Sequence, residues 1–109
     1  MKSTLRENYR YIVVKIISRS PLMKEDIISI LRNELLEIVG KIDYSYIMPK
    51  IVYFDRYKQA VIIRVLNEGT EYFKSGLSML TSYKNEDIHL MSIYTAGTIK
   101  KAKEKLSSI

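Results

Sequence analysis

Cysteine and tryptophan are absent from this chain of 109 residues, and histidine occurs once. Without cysteine there is no disulfide, no cysteine-ligated zinc and no thiol nucleophile. No apolar run approaches the ~20 residues of a membrane-spanning helix, and no hydrophobic signal segment follows the first residues. We therefore expect a soluble, cytoplasmic protein without a membrane partner. The length leaves no room for a second domain, so residues 1–109 are interpreted as a single domain.

Residues that could support catalysis or bind a metal ion are also scarce. His89 lies within an apolar stretch without a nearby pattern of carboxylates, and we interpret it as structural. Glu25-Asp26 and Glu86-Asp87 fall at a helix start and in a turn, where acidic residues serve as caps and solvated side chains. The sequence predicts no catalytic residues, no metal site and no cofactor bound by the protein itself.

Positive charge is concentrated at the two ends of the chain. Residues 1–19 hold five basic side chains against one acidic, and residues 97–109 hold four against one. Between them, residues 20–96 hold nine basic and ten acidic side chains. If the fold brings the ends together, they create a local positive field, which is typical of a protein that binds a polyanion such as nucleic acid. The alternative is that lysine-rich ends only keep a small protein soluble.

Hydrophobic patterns predict strand, helix, strand, strand, helix, strand and a short basic helix. The β-branched run at 10–17 is the first strand, and an apolar stripe over 27–39 marks a helix that ends at Gly40. Residues 47–54 and 60–65 predict a hairpin. Pro49 indicates that the first of its two strands lies at an edge of the sheet. Thr70 caps a second helix that continues to 83, with Gly76 allowing close approach to the sheet, and 88–94 is the last strand.

This order is that of an α/β (α+β) ferredoxin-like βαββαβ sandwich, with an antiparallel sheet, two helices on one face and an extra C-terminal helix. Ile30 and Leu36 lie off the apolar stripe of the first helix. We expect them to form an apolar surface for a protein partner together with the tyrosines and methionine near the hairpin, unless these side chains pack under loops. The hairpin residues are Tyr44, Tyr46, Met48 and Tyr57.

Two sets of residues indicate contacts with phosphate. Gly97-Thr98-Ile99-Lys100-Lys101 places a glycine, a hydroxyl and two lysines at a helix N-terminus, which can bind phosphate but can equally be an ordinary cap. Arg64 is a charge inside an apolar strand. It could join Tyr11 and Lys15 in a basic and aromatic platform on the open sheet face, or it could extend from an edge position or pair with an acid.

The succession of these segments resembles archaeal ribonuclease P protein component 2. The resemblance rests on Leu5-Arg6, Arg10-Tyr11-Ile12, Ile62-Ile63-Arg64-Val65 and Thr95-Ala96-Gly97-Thr98-Ile99-Lys100-Lys101. It implies an RNA-recognition-like form of the ferredoxin-like fold. It also implies a non-catalytic subunit of an endoribonuclease that removes 5′ leaders from precursor tRNA, with Mg²⁺ in the RNA active site. The implied partners are ribonuclease P RNA, precursor tRNA and the barrel-type protein component 3, with two copies of each protein.

One position and one strand depart from the expected pattern. Ala96 stands where many members have serine, and residues 60–65 lack the aromatic signature of RNA-recognition motifs. The alternative function is a ferredoxin-like small-molecule regulatory or dimerisation module, but the loop after the first strand, Arg19-Ser20-Pro21-Leu22, is not glycine-rich. The residues predicted to bind RNA are Arg6, Arg10, Tyr11, Lys15, Arg64, Gly97, Thr98, Lys100, Lys101, Lys103 and Lys105.

Overall fold

An antiparallel sheet with helices on both faces makes up the computed structural model, which describes residues 8–109. The strands are β1 (Tyr9–Ser18), β2 (Lys50–Asp55), β3 (Ala60–Leu66), β4 (Ser82–Tyr83) and β5 (Glu86–Ala96). The helices are α1 (Lys24–Ser29), α2 (Leu35–Ile47), α3 (Thr70–Ser78) and α4 (Ile99–Ser107), with a π-helical turn (Ile30–Glu34) between α1 and α2 and a 3₁₀ turn (Asn67–Gly69) before α3. None of the helices within 8–109 is long and apolar enough to cross a membrane.

The strand order across the sheet is β2-β3-β1-β5-β4. This confirms the predicted ferredoxin-like α/β fold with an extra C-terminal helix, and it confirms that the strand after Pro49 lies at an edge. Strand β1 is central, and Ile12, Val13 and Val14 are all fully buried although they alternate between the two faces. The first strand is therefore a continuous apolar run because both of its faces are covered.

Two separate cores occupy the two faces of the sheet. The main core lies under α1, α2 and α3 and contains Ile12, Val14, Leu35, Phe73 and Leu77 among others. The second core is smaller and lies between the sheet and α4; its buried members are Val13, Ala60, Ile62, Ala96, Ala102 and Leu106. The C-terminal helix thus covers the sheet face that the other helices leave free.

The first predicted helix is longer than expected because it continues past two irregularities. The backbone N–H of Leu35 bonds to the carbonyl of Ile30, an i→i+5 bond that widens the turn by one residue. Ile30 is fully buried in the main core, three residues after buried Ile27 and therefore on the same helix face, so its predicted place off the apolar stripe is wrong. Gly40 breaks the helix as predicted, with φ +88° and ψ 162°. The backbone then returns to helical geometry, and helix α2 ends at Ile47, where Met48 adopts a left-handed conformation.

The second predicted helix ends earlier than expected. Helix α3 stops at Ser78, and Ser82–Tyr83 pairs with Asp87 and Glu86 as strand β4. Lys84 and Asn85 both have positive φ, 52° and 66°, as the tightest hairpin turns require. A Cβ added to Gly76 would lie 2.6 Å from Leu35 Cδ1, so this glycine allows close approach to α2 rather than to the sheet.

Candidate nucleic-acid interface

A β-bulge in β5 determines which of its side chains lie beside helix α4. Val13 lies opposite Tyr94 and Val14 lies opposite Ser92, which leaves Ile93 as the extra, bulged residue. Simple alternation from Ile88 would place Tyr94 on the main-core face. The bulge shifts the alternation by one, so Tyr94 lies on the α4 face and Ile93 packs against the second core.

Strand β2 carries a second bulge with the same consequence. Ile51 lies opposite Ile63 and Tyr53 lies opposite Ile62, with Val52 as the extra residue. Val52 packs against the second core, as Ile93 does from the other side. The two bulges therefore place one tyrosine on each flank of α4.

Helix α4 is held on the sheet by apolar contacts, a lysine cap and two aromatic contacts. Lys58 Nζ donates to the carbonyl oxygens of Leu106 at 3.3 Å, Ser107 at 2.9 Å and Ile109 at 3.1 Å. A cation at this end is favourable because the C-terminus of a helix is its negative pole. On the flanks, Lys103 Nζ lies 5.3 Å from the ring centroid of Tyr53, and Lys105 Nζ lies 5.6 Å from that of Tyr94.

At the N-terminus of α4, Thr98 is the helix cap. Its Oγ1 accepts a hydrogen bond from the backbone N–H of Lys101 at 3.2 Å, which is the capping alternative considered for this motif. Gly97 is exposed, and a Cβ added to it would meet nothing within 4 Å. Lys100 and Lys101 are exposed in the first turn, where the positive pole of the helix disfavours cations. An anion bound here would relieve that repulsion.

Arg64 and Tyr11 lie directly opposite each other on the α4 face of the sheet. The guanidinium carbon of Arg64 lies 4.1 Å from the ring centroid of Tyr9, close enough for a cation–π contact. Arg64 Nε is buried without a hydrogen-bond partner among the described residues. Lys15 shares this face but lies towards the other end of β1, and its Nζ donates to the carbonyl of Lys58.

The structure therefore brings together most, but not all, of the predicted RNA-binding residues. Tyr11 lies opposite Ala96 in the sheet, which places Tyr11 and Arg64 near the start of α4 with Gly97, Thr98, Lys100 and Lys101. Arg10 has the opposite orientation in β1 and donates from Nη1 to the Tyr9 carbonyl at 2.9 Å. Arg6 lies outside the described residues.

Sequence reasoning missed three residues around α4, which are Tyr53, Lys58 and Tyr94, and also missed Lys50. Lys50 lies opposite Arg64 in the edge strand and adds a cation beside it. Both tyrosines depend on bulges, which leave no periodic signal in the sequence. The polar stretch between the two hairpin strands predicts that Lys58 lies in a turn, but only the tertiary structure shows that this turn meets the end of α4.

The lysines of α4 have no carboxylate partner in the described part of the chain. Within residues 8–109, the ion pair at 4.0 Å or less joins Lys84 to Asp26, and it lies on the opposite side of the sheet from α4. Across residues 8–109 no group of three histidine, aspartate or glutamate side chains is placed to hold a metal ion. His89 is exposed and lies opposite Ile17 on the α4 face. This arrangement suits binding of an extended anion.

The apolar residues predicted to meet a protein partner are divided by the structure. Tyr46 and Met48 are exposed, and the ring of Tyr46 stacks on that of Tyr72 with centroids 6.4 Å apart. Tyr57 is exposed in the β2–β3 turn. Tyr44 is half-buried, and its hydroxyl donates to the Leu31 carbonyl at 2.9 Å. Leu36 is half-buried as well.

Comparisons with known proteins agree over almost the whole chain. The sequence profile of the Rpp14/Pop5 family matches residues 10–107. Ribonuclease P protein component 2 of Methanocaldococcus jannaschii is 31% identical over 97% of this chain and 78% of its own length. The protein of the same name from Pyrococcus horikoshii is 28% identical over 94% of this chain and 85% of its own length.

A solved structure shares the fold. A chain in the cryo-EM structure of yeast ribonuclease MRP superposes with a TM-score of 0.70, at 14% identity and 94% coverage of each chain. The βαββαβ arrangement with its C-terminal helix therefore occurs in a protein of very different sequence. Because the family profile spans both the sheet and α4, the chain belongs to the Rpp14/Pop5 family.

Proposed function

We propose that this chain is a protein subunit of ribonuclease P, the ribonucleoprotein that removes the 5′ leader from precursor tRNA. The observation that carries the proposal is helix α4, whose four exposed lysines have no carboxylate within 4.0 Å in the described residues. The names of the archaeal relatives support the same function. Family membership favours it over the alternative of a small-molecule regulatory or dimerisation module.

The chemistry of the interface is electrostatic. Each lysine or arginine that neutralises a phosphate releases condensed counterions, and this release stabilises the complex. Lys100, Lys101, Lys103 and Lys105 would bind successive phosphates, and the backbone N–H groups beside Gly97 and Thr98 would bind another. Arg6, Lys15 and Arg64 would extend the contacts, and Tyr11 would offer a stacking surface. Arg10 would bind phosphate from the other face of β1.

In this proposal the protein stabilises the active shape of the catalytic RNA and takes no part in bond cleavage. Hydrolysis belongs to the RNA and to the Mg²⁺ ions held in the RNA active site. Precursor tRNA is the substrate of the complete ribonucleoprotein. The isolated chain is accordingly a subunit of an endoribonuclease without activity of its own.

The barrel-type component 3 of the same ribonucleoprotein is the proposed protein partner, with two copies of each chain. Exposed Tyr46, Met48 and Tyr72 would contribute to such an interface, since aromatic residues and methionine are enriched at contacts between proteins. Light scattering on the chain alone and mixed with component 3 tests this. A monomer whose mass does not change on mixing would contradict it.

The salt dependence of RNA binding tests the main proposal. The logarithm of affinity should fall linearly with the logarithm of salt concentration, with a slope of about −0.7 to −0.9 for each neutralised phosphate. Replacing Lys100, Lys101, Lys103 and Lys105 with alanine should therefore make the slope shallower by about 3. The probe is labelled ribonuclease P RNA, titrated at several potassium chloride concentrations.

A matched control uses exposed lysines on the helices of the other sheet face. Lys24→Ala combined with Lys41→Ala also removes positive charge but should leave the slope unchanged. Equal slopes for the wild type and the α4 variant would exclude α4 from the RNA interface. If the control changed the slope as much per lysine as the α4 variant did, the proposal that RNA contacts α4 specifically would fail.

A further inference from the structure

We infer that the cleft between β5 and α4 binds an unpaired RNA base, stacked on the ring of Tyr94. This inference rests on the proposed function and adds a specific contact to it. Its ligand is a nucleotide whose base is free of a pairing partner. The sequence motifs and the proposed phosphate contacts do not include this tyrosine.

The cleft has a volume of about 520 Å³ and is lined by Tyr94, Lys101, Glu104 and Lys105. The side chain of Tyr94 is 38% exposed, so part of its ring faces solvent although the residue lies in the sheet. Lys105 Nζ is 5.6 Å from the ring centroid. An aromatic surface thus lies beside two ammonium groups and one carboxylate, which leaves the cleft with a net positive charge.

This combination matches the chemistry of a single nucleotide. Bases stack on aromatic side chains, while nearby lysines bind the phosphates on either side. A base inside a duplex is covered by its neighbours on both faces, so Tyr94 can stack on a base at any position of a single strand but on a duplex only at its two ends. The cleft should therefore discriminate between single-stranded and paired RNA, which lysines alone would not do.

The backbone supports the same assignment. The bulge at Ile93 turns Tyr94 away from the main core and towards α4. Bulges occur where a strand must re-aim a side chain, often beside functional sites. Without the bulge, Tyr94 would lie on the main-core face.

Tyr53 provides a matched control on the other flank of α4. It is 39% exposed, follows the bulge at Val52 and has Lys103 Nζ 5.3 Å from its ring centroid. It does not line the cleft of Tyr94. Replacing either tyrosine removes one aromatic contact with a lysine of α4, so any general weakening of the helix should be similar in both variants.

The experiment measures fluorescence anisotropy of the full chain with two labelled RNAs of equal length, an unstructured single strand and a blunt duplex. Tyr94→Leu should weaken binding of the single strand by about 5- to 150-fold and leave duplex binding nearly unchanged. Tyr94→Phe should bind like the wild type because it keeps the aromatic face. Tyr53→Leu should leave the ratio of the two affinities unchanged.

An unchanged ratio in Tyr94→Leu, or an equal change in Tyr53→Leu, would overturn the inference while salt-dependent RNA binding by the wild type would still support the proposed function. If the wild type bound neither RNA, both would fail. Photocrosslinking of a 4-thiouridine single strand to the wild-type protein needs no variant. Crosslinks to Tyr94 or the α4 lysines of the cleft are expected, and crosslinks confined to the α1 to α3 side would overturn the inference.

Discussion

Replacing Leu106 with alanine should release helix α4 from the sheet while the rest of the domain stays folded. Leu106 is 2% exposed, and Ala102 is the other buried residue of this helix. A helix of nine residues is not stable by itself in water, so α4 depends on its contacts with the sheet. Leu106 is the larger of these two buried side chains, so it contributes more apolar contact than Ala102 does.

The size of the effect follows from the separation of the two cores. A leucine-to-alanine change at a buried site costs about 2–5 kcal/mol. Leu106 belongs to the second core, so the cost should fall on the local opening of α4 rather than on the main core. Because about 1.4 kcal/mol corresponds to a factor of ten, backbone amides of α4 should exchange at least about 30-fold faster.

Hydrogen–deuterium exchange followed by mass spectrometry tests this prediction by comparing peptides from α4 with peptides from β1 and β3. Leu77→Ala is the matched control, since Leu77 is 1% exposed in the main core. It should destabilise the domain as a whole and raise exchange in the sheet as well. Unchanged protection of α4 in Leu106→Ala, or an equal increase in α4 and in β1, would show that α4 does not open independently of the main core.

Three further predictions concern stability and activity. Gly40→Ala should lower the free energy of unfolding in urea by about 1–3 kcal/mol, because alanine is strained at a φ of +88°. No neighbour lies near the added Cβ of either Gly40 or Gly97, so Gly97→Ala, which lacks the positive φ, should change stability by less than about 0.5 kcal/mol. Tyr44→Phe should lower the free energy of unfolding by about 0.5–1.5 kcal/mol, because it removes the hydrogen bond to the Leu31 carbonyl. Burial raises the pKa of Tyr44 above its ordinary value of 10.0 against the opposing effect of Arg32, so the folded state favours the neutral phenol. The contribution of neutral Tyr44 to stability is complete below pH 10.0 and is lost as the pH rises through the raised pKa. Chemical denaturation at several alkaline pH values should show this loss in the wild type and not in Tyr44→Phe. The purified chain with Mg²⁺ should not cleave precursor tRNA; cleavage that survives His89→Ala and is absent from a mock preparation would contradict this.

The order of strands and helices could be predicted because it depends on local patterns. The β-branched run of β1, the apolar stripe of the first helix and the edge position signalled by Pro49 each leave a signature within a few residues. The start of α4 at Thr98 was predicted for the same reason. The shared face of Tyr11 and Arg64 followed from strand alternation, which is intact at that end of β1 and β3.

The features that were missed depend on contacts between distant segments. The bulges at Val52 and Ile93 depend on pairing with β3 and β1, and each reverses the alternation that places Tyr53 or Tyr94 on a face. The π-helical turn from Ile30 to Glu34 also leaves no signal in a period of 3.6 residues, and it shifts the positions of the helix residues that follow it. The position of α4 on the sheet depends on small residues in separate elements, Ala60 and Ala102, which leave room for the helix.

The proposed subunit role is tested most directly by cleavage of precursor tRNA by the cognate ribonuclease P RNA at limiting Mg²⁺, with and without this chain and component 3. We expect the RNA with both proteins to remove the 5′ leader at a Mg²⁺ concentration where the RNA alone is slow, and omission of this chain to abolish the gain. The variant lacking the four α4 lysines should give a smaller gain that low salt partly restores. Cleavage of equal rate with and without the chain, or cleavage by the chain in the absence of RNA, would show that the chain is not such a subunit.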